Sequence, residues 1–307
     1  MEEDLWLVAC NRDARNELIA AECETLTGKK PVNGIAEGGS IEYVSQAAYL
    51  RAGMQIVAQG RTIEELVGKI SRLQLDADGF RLELLNVSDQ IKVQSRETIV
   101  ALADAIRDCW PNLDEPEHRL LLVIQDTGFT FGEILAEPDH SYRQHDDKPF
   151  RTSSSLPAQL ARALVNLVLP STKTILDPCC GTGSILLEAQ AMGLRALGGD
   201  WNPKMVGMSH KNVAHFGYSA KVELMDARRW PEPADAIVTD LPYGKNLEIS
   251  EEVICGILER ARELAPVAVF VAGKDIAGWL REAGYEKVEV FCVPKYTGFA
   301  RYVHRAW

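Results

Sequence analysis

Short apolar runs that stop at a carboxylate recur through the second half of the chain: "TILD", "RALGGD", "KVELMD" and "DAIVTD", followed by "VAVFVAG" without one. Each has the length of a buried strand, and the stretches between them carry helical spacing of apolar positions. This alternation predicts a parallel sheet with helices on both faces, an architecture that binds ligands beyond the carboxyl ends of its strands. The aspartates fall there. Ahead of the first strand, "LPAQLARALVNLVL" is expected to be a helix with Ser155 as its cap and Pro157 in its first turn.

The first half reads differently. From Leu5 to about Gly60, the runs "LWLVAC", "IEYVS" and "MQIVAQ" alternate with helical stretches in the rhythm of a small α+β domain. In "TIEEL", Thr62 is placed to cap a helix, with Glu65 three residues on as in a capping box. A second α+β unit follows, from "FRLELLNV" through a helical "ETIVALADAIRDCW" to the strands "RLLLVIQD" and "FTFGEILA", and ends near Pro138. The polar, aperiodic "PDHSYRQHDDKPF" is expected to be a solvated linker. The division is 1–78, 79–138, a linker at 139–149, and an α/β domain at 150–307.

Composition narrows the function. With 307 residues, 46% hydrophobic and 25% charged, the chain has the make-up of a globular protein of more than one domain. Its start, "MEEDLWLVACNRDARNE", is acidic where a signal peptide is basic, and its apolar run is short, so a cytoplasmic location with no membrane span is expected. Seven cysteines without a C-x-x-C pair point to reduced thiols and no structural zinc, and Asp139, His140 and His145 have no usual zinc spacing. The acid is unevenly spread: 27 Asp and Glu stand against 15 Lys and Arg in residues 1–150, and 17 against 18 afterwards. A nucleic-acid partner therefore has to be met by local basic patches such as Arg228, Arg229, Lys245 and Arg301.

Four places carry candidate chemistry. "DPCCGTGS", Asp177 to Ser184, follows the first strand and opens a helix, and Gly181 and Gly183 let the backbone turn tightly and approach a ligand. A plain strand-to-helix turn uses the same glycines, and the third glycine of a dinucleotide fingerprint is replaced by Leu186, which disfavours a pyrophosphate. Asp200 ends the next strand, where a carboxylate can accept both hydrogen bonds of a ribose diol, with Trp201 beside it to lie on an adenine face. Asp226 ends the third and can accept the exocyclic amine of adenine. The fourth place is Asp240-Leu241-Pro242-Tyr243, a strand end in which the turn residues do not account for the flanking Asp and Tyr.

"DPCCGTG" followed by Asp200 and Asp226 resembles the nucleoside-binding series of class I S-adenosylmethionine-dependent methyltransferases. That resemblance implies a Rossmann-like fold for 150–307. It implies that Asp177, Gly181, Gly183 and Ser184 hold the methionine end, Asp200 and Trp201 the ribose and its surroundings, and Asp226 with Ala227 the adenine. "DLPY" resembles the [D/N]-P-P-[Y/F] motif of methyltransferases that modify a planar amino group, with Leu241 where most members carry Pro. There Asp240 and the Leu241 carbonyl would each accept an amine N–H, Pro242 would restrict the turn, and Tyr243 would stack on the base.

"KPFRTSSSLPAQLARALVNLVLP" and the closing "KYTGFARYVHRAW" resemble the corresponding segments of the archaeal and eukaryotic tRNA guanosine-10 N2-methyltransferases. The stretch from "FRLELLN" to "GEIL" is similar to a THUMP domain, an RNA-binding module, behind a ferredoxin-like domain at 1–78. The resemblance implies tRNA as substrate, N2-methylation of guanosine with guanosine-10 favoured, and a small zinc-binding activator protein docked on the methyltransferase domain, a partner that relatives often use. Guanosine-6 or adenine N6 are the alternatives within the same chemistry, and a catalytically silent RNA-binding scaffold is the non-enzymatic one.

Overall fold

The computed structural model describes residues 6–11, 13, 15–242, 250–296 and 298–307. It splits into two compact units, Met1–Asn11 with Thr27–Ser45 and Leu50–Pro138, and Arg12–Leu26 with Gln46–Tyr49 and Asp139–Trp307. Up to Pro138 the elements are β1 (Trp6–Cys10), α1 (Asn16–Thr27), β2 (Ile35–Glu37), β3 (Leu50–Gly60), α2 (Ile63–Ile70), β4 (Phe80–Asn86), α3 (Ser95–Ala105), β5 (His118–Gln125) and β6 (Gly128–Ala136).

In the first unit the strands of 1–78 and of 79–138 share one six-stranded sheet, ordered β2-β1-β3-β6-β5-β4. Only β4 and β5 pair in parallel, through the crossover helix α3. The nearly unbroken apolar run of β5 follows from burial on both faces. Leu120, Leu122 and Ile124 pack with Leu66, Ile70 and Leu102 of α2 and α3, while Leu121 and Val123 pack with Leu7, Ile35 and Met54. Thr62 caps α2 as expected, its Oγ1 accepting from Glu65 N at 3.2 Å, but the reciprocal bond of a capping box is shifted: Glu65 Oε2 accepts from Arg61 N at 2.9 Å, one residue before the cap.

The second unit continues with α4 (Ala158–Asn166), β7 (Thr174–Asp177), α5 (Ser184–Ala191), β8 (Arg195–Asp200), α6 (Pro203–His215), β9 (Lys221–Leu224), β10 (Ala236–Asp240), α7 (Glu251–Leu264), β11 (Val267–Ala272), α8 (Ala277–Glu282), β12 (Val288–Tyr296) and β13 (Phe299–Ala306). Its seven-stranded sheet runs β12-β13-β11-β10-β7-β8-β9. The five strands from β11 to β9 are parallel, and β13 is antiparallel to both its neighbours. This is the doubly wound α/β sheet expected for 150–307. Strand order reverses between β7 and β10, so ligand-binding side chains converge beyond those two strand ends.

Two local expectations change. Residues 139–149 are not a solvated linker: Ser141–Asp147 form a 3-10 helix, and Tyr142, His145 and Lys148 are buried. Their polar groups are the reason, since His145 Nδ1 lies 2.7 Å from Glu188 Oε1 and its Nε2 lies 3.2 Å from the Tyr218 hydroxyl. Ser155 does not cap α4, which starts at Ala158 after Pro157. Asp146 Oδ1 accepts from Ala158 N at 2.9 Å instead, while Ser155 Oγ accepts from Thr152 N and meets Thr182.

Candidate functional site

Parallel pairing of β7 with β10 sets Asp177 and Asp240 at adjacent strand ends. Asp177 Oδ1 accepts from Thr239 Oγ1 at 2.6 Å and from Cys179 N at 3.2 Å. Its side chain is buried, and burial pushes its carboxyl up to about 8, with the neighbouring charges of Asp240 and Asp200 adding to the rise against these two hydrogen bonds.

The glycine loop is tied to the next strand. Asp200 accepts from Gly181 N on Oδ2 at 3.0 Å and from Asn202 N on Oδ1 at 2.8 Å. Burial raises its carboxyl, and these two N–H groups oppose the rise. Gly183 heads α5 with φ at +86°, and a Cβ there would lie 2.6 Å from Ser209 Oγ, so conformation and space both require glycine. Ser184 Oγ donates to the Leu156 carbonyl at 3.1 Å and accepts from the buried ammonium of Lys148 at 2.7 Å.

These groups line one cavity of about 560 Å³, within the range of small-molecule sites. It brings together Asp177, Gly181, Ser184, Asp200, Trp201, Asp226, Ala227, Asp240, Leu241 and Pro242. Gly183 holds the loop from behind, and Trp201 is 67% exposed, its ring free to cover a ligand. Strand β9 ends two residues before Asp226, which caps the following 3-10 turn by accepting from Arg228 N at 3.0 Å. Tyr243 and Lys245 lie outside the described residues. Of the other basic candidates, Arg229 is exposed, Arg228 pairs with Asp226, and Arg301 is buried, donating to the Ser154 carbonyl at 3.3 Å.

Leu241 has a physical role of its own. Its N–H donates to the Val271 carbonyl at 2.9 Å, extending the β10–β11 pairing, and its side chain is buried against Ile254, Ile257 and Leu258 of α7. The N–H that Leu adds where Pro has none is satisfied by the sheet. Three carboxylates around one cavity, Asp200, Asp226 and Asp240, with the Asp177 carboxyl beside them, favour a ligand rich in N–H donors and positive charge over a phosphate. The residues fit S-adenosylmethionine, which carries a sulfonium, an ammonium, a ribose diol and an adenine amine.

Sequence reasoning missed Thr239, which holds Asp177, and the places of Thr152, Ser154 and Leu156 on the cavity wall, and it read Arg228, also on that wall, only as a phosphate contact. Thr239 was hidden inside an apolar strand. The one legible signal was its place one residue before Asp240, on the strand beside Asp177.

A pH effect follows from Asp177. Unfolded, it ionises at its ordinary 3.8, and folded at about 8, so between these values folding takes up a proton. Its contribution to stability is full below about pH 4 and is lost as pH rises toward 8. In urea unfolding of the ligand-free protein, Asp177→Asn should flatten the fall in stability between about pH 5 and 7, the middle of that window. An unchanged slope in the variant would place the titration elsewhere.

A family model described as UPF0020, RMKL-like, a methyltransferase domain, matches residues 145–295. The tRNA (guanine(10)-N2)-dimethyltransferase of Methanothermobacter thermautotrophicus is 46% identical over 115 residues, 36% of this chain and 34% of that protein. The protein of the same name in Methanocaldococcus jannaschii is 29% identical over 211 residues, 63% of this chain and 58% of that one. The chain thus spans 34% and 58% of the length of these two curated relatives. TrmN from Thermus thermophilus aligns over 98% of this chain and 99% of its own, with a TM-score of 0.55 at 20% identity, a likeness of fold. No helix among the described residues is long and apolar enough to cross a membrane.

Proposed function

Residues 145–295 belong to the UPF0020 methyltransferase family, and from that premise we propose that the protein methylates the N2 amine of guanosine in tRNA, at guanosine-10, using S-adenosylmethionine. One observation supports this most: Asp240, Leu241 and Pro242 share a cavity with Asp177, Asp200 and Asp226. An amine-orienting turn and a nucleoside-sized set of acceptors thus meet in one place.

Bound there, S-adenosylmethionine supplies an electrophilic methyl group. Asp177 and the Gly181–Ser184 loop hold its methionine end, Asp200 its ribose diol with Trp201 alongside, and Asp226 with Ala227 its adenine. The guanine amine is a poor nucleophile because its lone pair is delocalised into the ring. Asp240 accepts one of its N–H groups and the Leu241 carbonyl the other, which fixes the amine plane and aims the lone pair. Pro242 restricts the turn, Tyr243 is assigned the stacking face for the base, and Asp240 or water takes the departing proton.

Residues 1–78 and 79–138, whose strands share one sheet, are proposed as the ferredoxin-like and THUMP-like parts that engage RNA, in a cytoplasmic protein. None of the comparisons supports the small zinc-binding activator. The reading is tested by calorimetry with S-adenosylmethionine followed by transfer of labelled methyl to bulk tRNA. Binding and transfer are both expected; binding without transfer to any RNA would leave a catalytically silent RNA-binding scaffold.

A further inference from the structure

Arg228 has no role in the scheme above, yet it forms part of the cavity wall together with Asp226 and the α7 residues Val253 and Ile257. Its head and its stem are both held. Arg228 Nε lies 3.0 Å from Asp226 Oδ1 and 3.2 Å from Oδ2, Nη2 lies 2.6 Å from Oδ2, and its backbone N adds the 3.0 Å bond to Oδ1. The stem crosses α7 at Gly256, where a Cβ would stand 3.1 Å from Arg228 Cδ and 3.6 Å from Cγ. Glycine inside a helix is unfavourable relative to alanine. Here it leaves room for the arginine.

Resting on the cofactor reading above, we infer that Arg228 is a positioning residue that sets the preference of this site for an adenine over a 6-oxopurine, with Gly256 as the gap through which it reaches Asp226. A carboxylate offers about four acceptor sites. The Arg228 N, Nε and Nη2 occupy three, which leaves one acceptor for one N–H donor from the cavity. Asp226 is ionised, its carboxyl held below the usual range by the Arg228 hydrogen bonds. An ionised carboxylate accepts and does not donate, so it receives the 6-amine of adenine and repels the 6-carbonyl of hypoxanthine. Without Arg228 the carboxylate is free to rotate away from the adenine amine, and the discrimination weakens.

The test is calorimetric titration of S-adenosylhomocysteine and S-inosylhomocysteine into the wild type, Arg228→Ala, Gly256→Leu and the double variant. The wild type should prefer the adenosyl compound. Arg228→Ala should weaken it by about tenfold to a hundredfold, the scale of one hydrogen bond to a charged group, and narrow the adenosyl-to-inosyl ratio with the melting temperature unchanged. Gly256→Leu should act in the same direction by displacing the stem, and the double variant should lose no more than Arg228→Ala alone, because both changes break one contact. A wild-type ratio retained in a folded Arg228→Ala protein would overturn the inference and leave the cofactor reading standing. Wild-type protein that binds neither compound would overturn both.

Discussion

Asp240→Ala should cut the single-turnover methylation rate by about 10²–10³, the usual loss on removing one preorganised transition-state partner, while affinities for S-adenosylmethionine and tRNA stay close to wild type. The reason is where the contact is made. Asp240 would touch the reacting amine alone, so its loss appears in the chemical step and not in the binding of remote parts of either ligand. Its neighbours keep the cavity intact, because Leu241 is anchored independently through Val271 and the α7 core. Asp240→Asn separates two contributions. An amide still accepts one hydrogen bond without the charge, so partial activity indicates that alignment dominates, and near-complete loss indicates that proton acceptance does. Full activity in Asp240→Ala would make "DLPY" an ordinary turn.

Glu188→Ala should destabilise the second unit by about 3–5 kcal/mol, the cost of stranding one partner of a buried ion pair. Glu188 on α5 is fully buried between Arg162 Nε at 2.8 Å and His145 Nδ1 at 2.7 Å. Arg162, on α4, is 1% exposed, so water cannot replace the lost carboxylate. Because α5 carries the glycine loop at its head, the same variant should weaken cofactor binding through misplacement of Ser184. Urea unfolding followed by far-ultraviolet circular dichroism gives the first quantity. A loss below about 1 kcal/mol, as for an exposed pair, would mean that the network bears little on stability. Replacing Arg162 and Glu188 together by Met and Leu should recover only part of the loss, since both charges go but the buried His145 Nδ1 is left without its acceptor.

The sequence was most readable where local chemistry and topology coincide. Apolar runs ending in Asp177, Asp200 and Asp240 mark strands because parallel strands are buried on both faces and their carboxyl ends open onto the ligand side. The Thr62 cap was legible because its partners lie within four residues. Contacts that span long separations were not. Nothing local places Thr239 against Asp177, Arg228 over Gly256, or His145 against Glu188 and Tyr218. The packed state of 139–149 was missed for the same reason: His145 and Lys148 look solvated in a polar string, and only partners 43 and 36 residues away, Glu188 and Ser184, make their burial tolerable. Ser155 failed as a cap because Asp146, nine residues upstream of it in the same polar string, takes the first N–H of α4.

The most direct measurement is mass spectrometry of nucleosides from tRNA incubated with the protein and methyl-labelled S-adenosylmethionine. Label is expected in N2-methylguanosine or N2,N2-dimethylguanosine mapped to position 10, and it should vanish when inosine, which lacks the N2 amine, replaces that guanosine. Label in N6-methyladenosine, or label that persists in the inosine-substituted tRNA, would contradict the assignment of the Asp240–Leu241 site to the guanine amine.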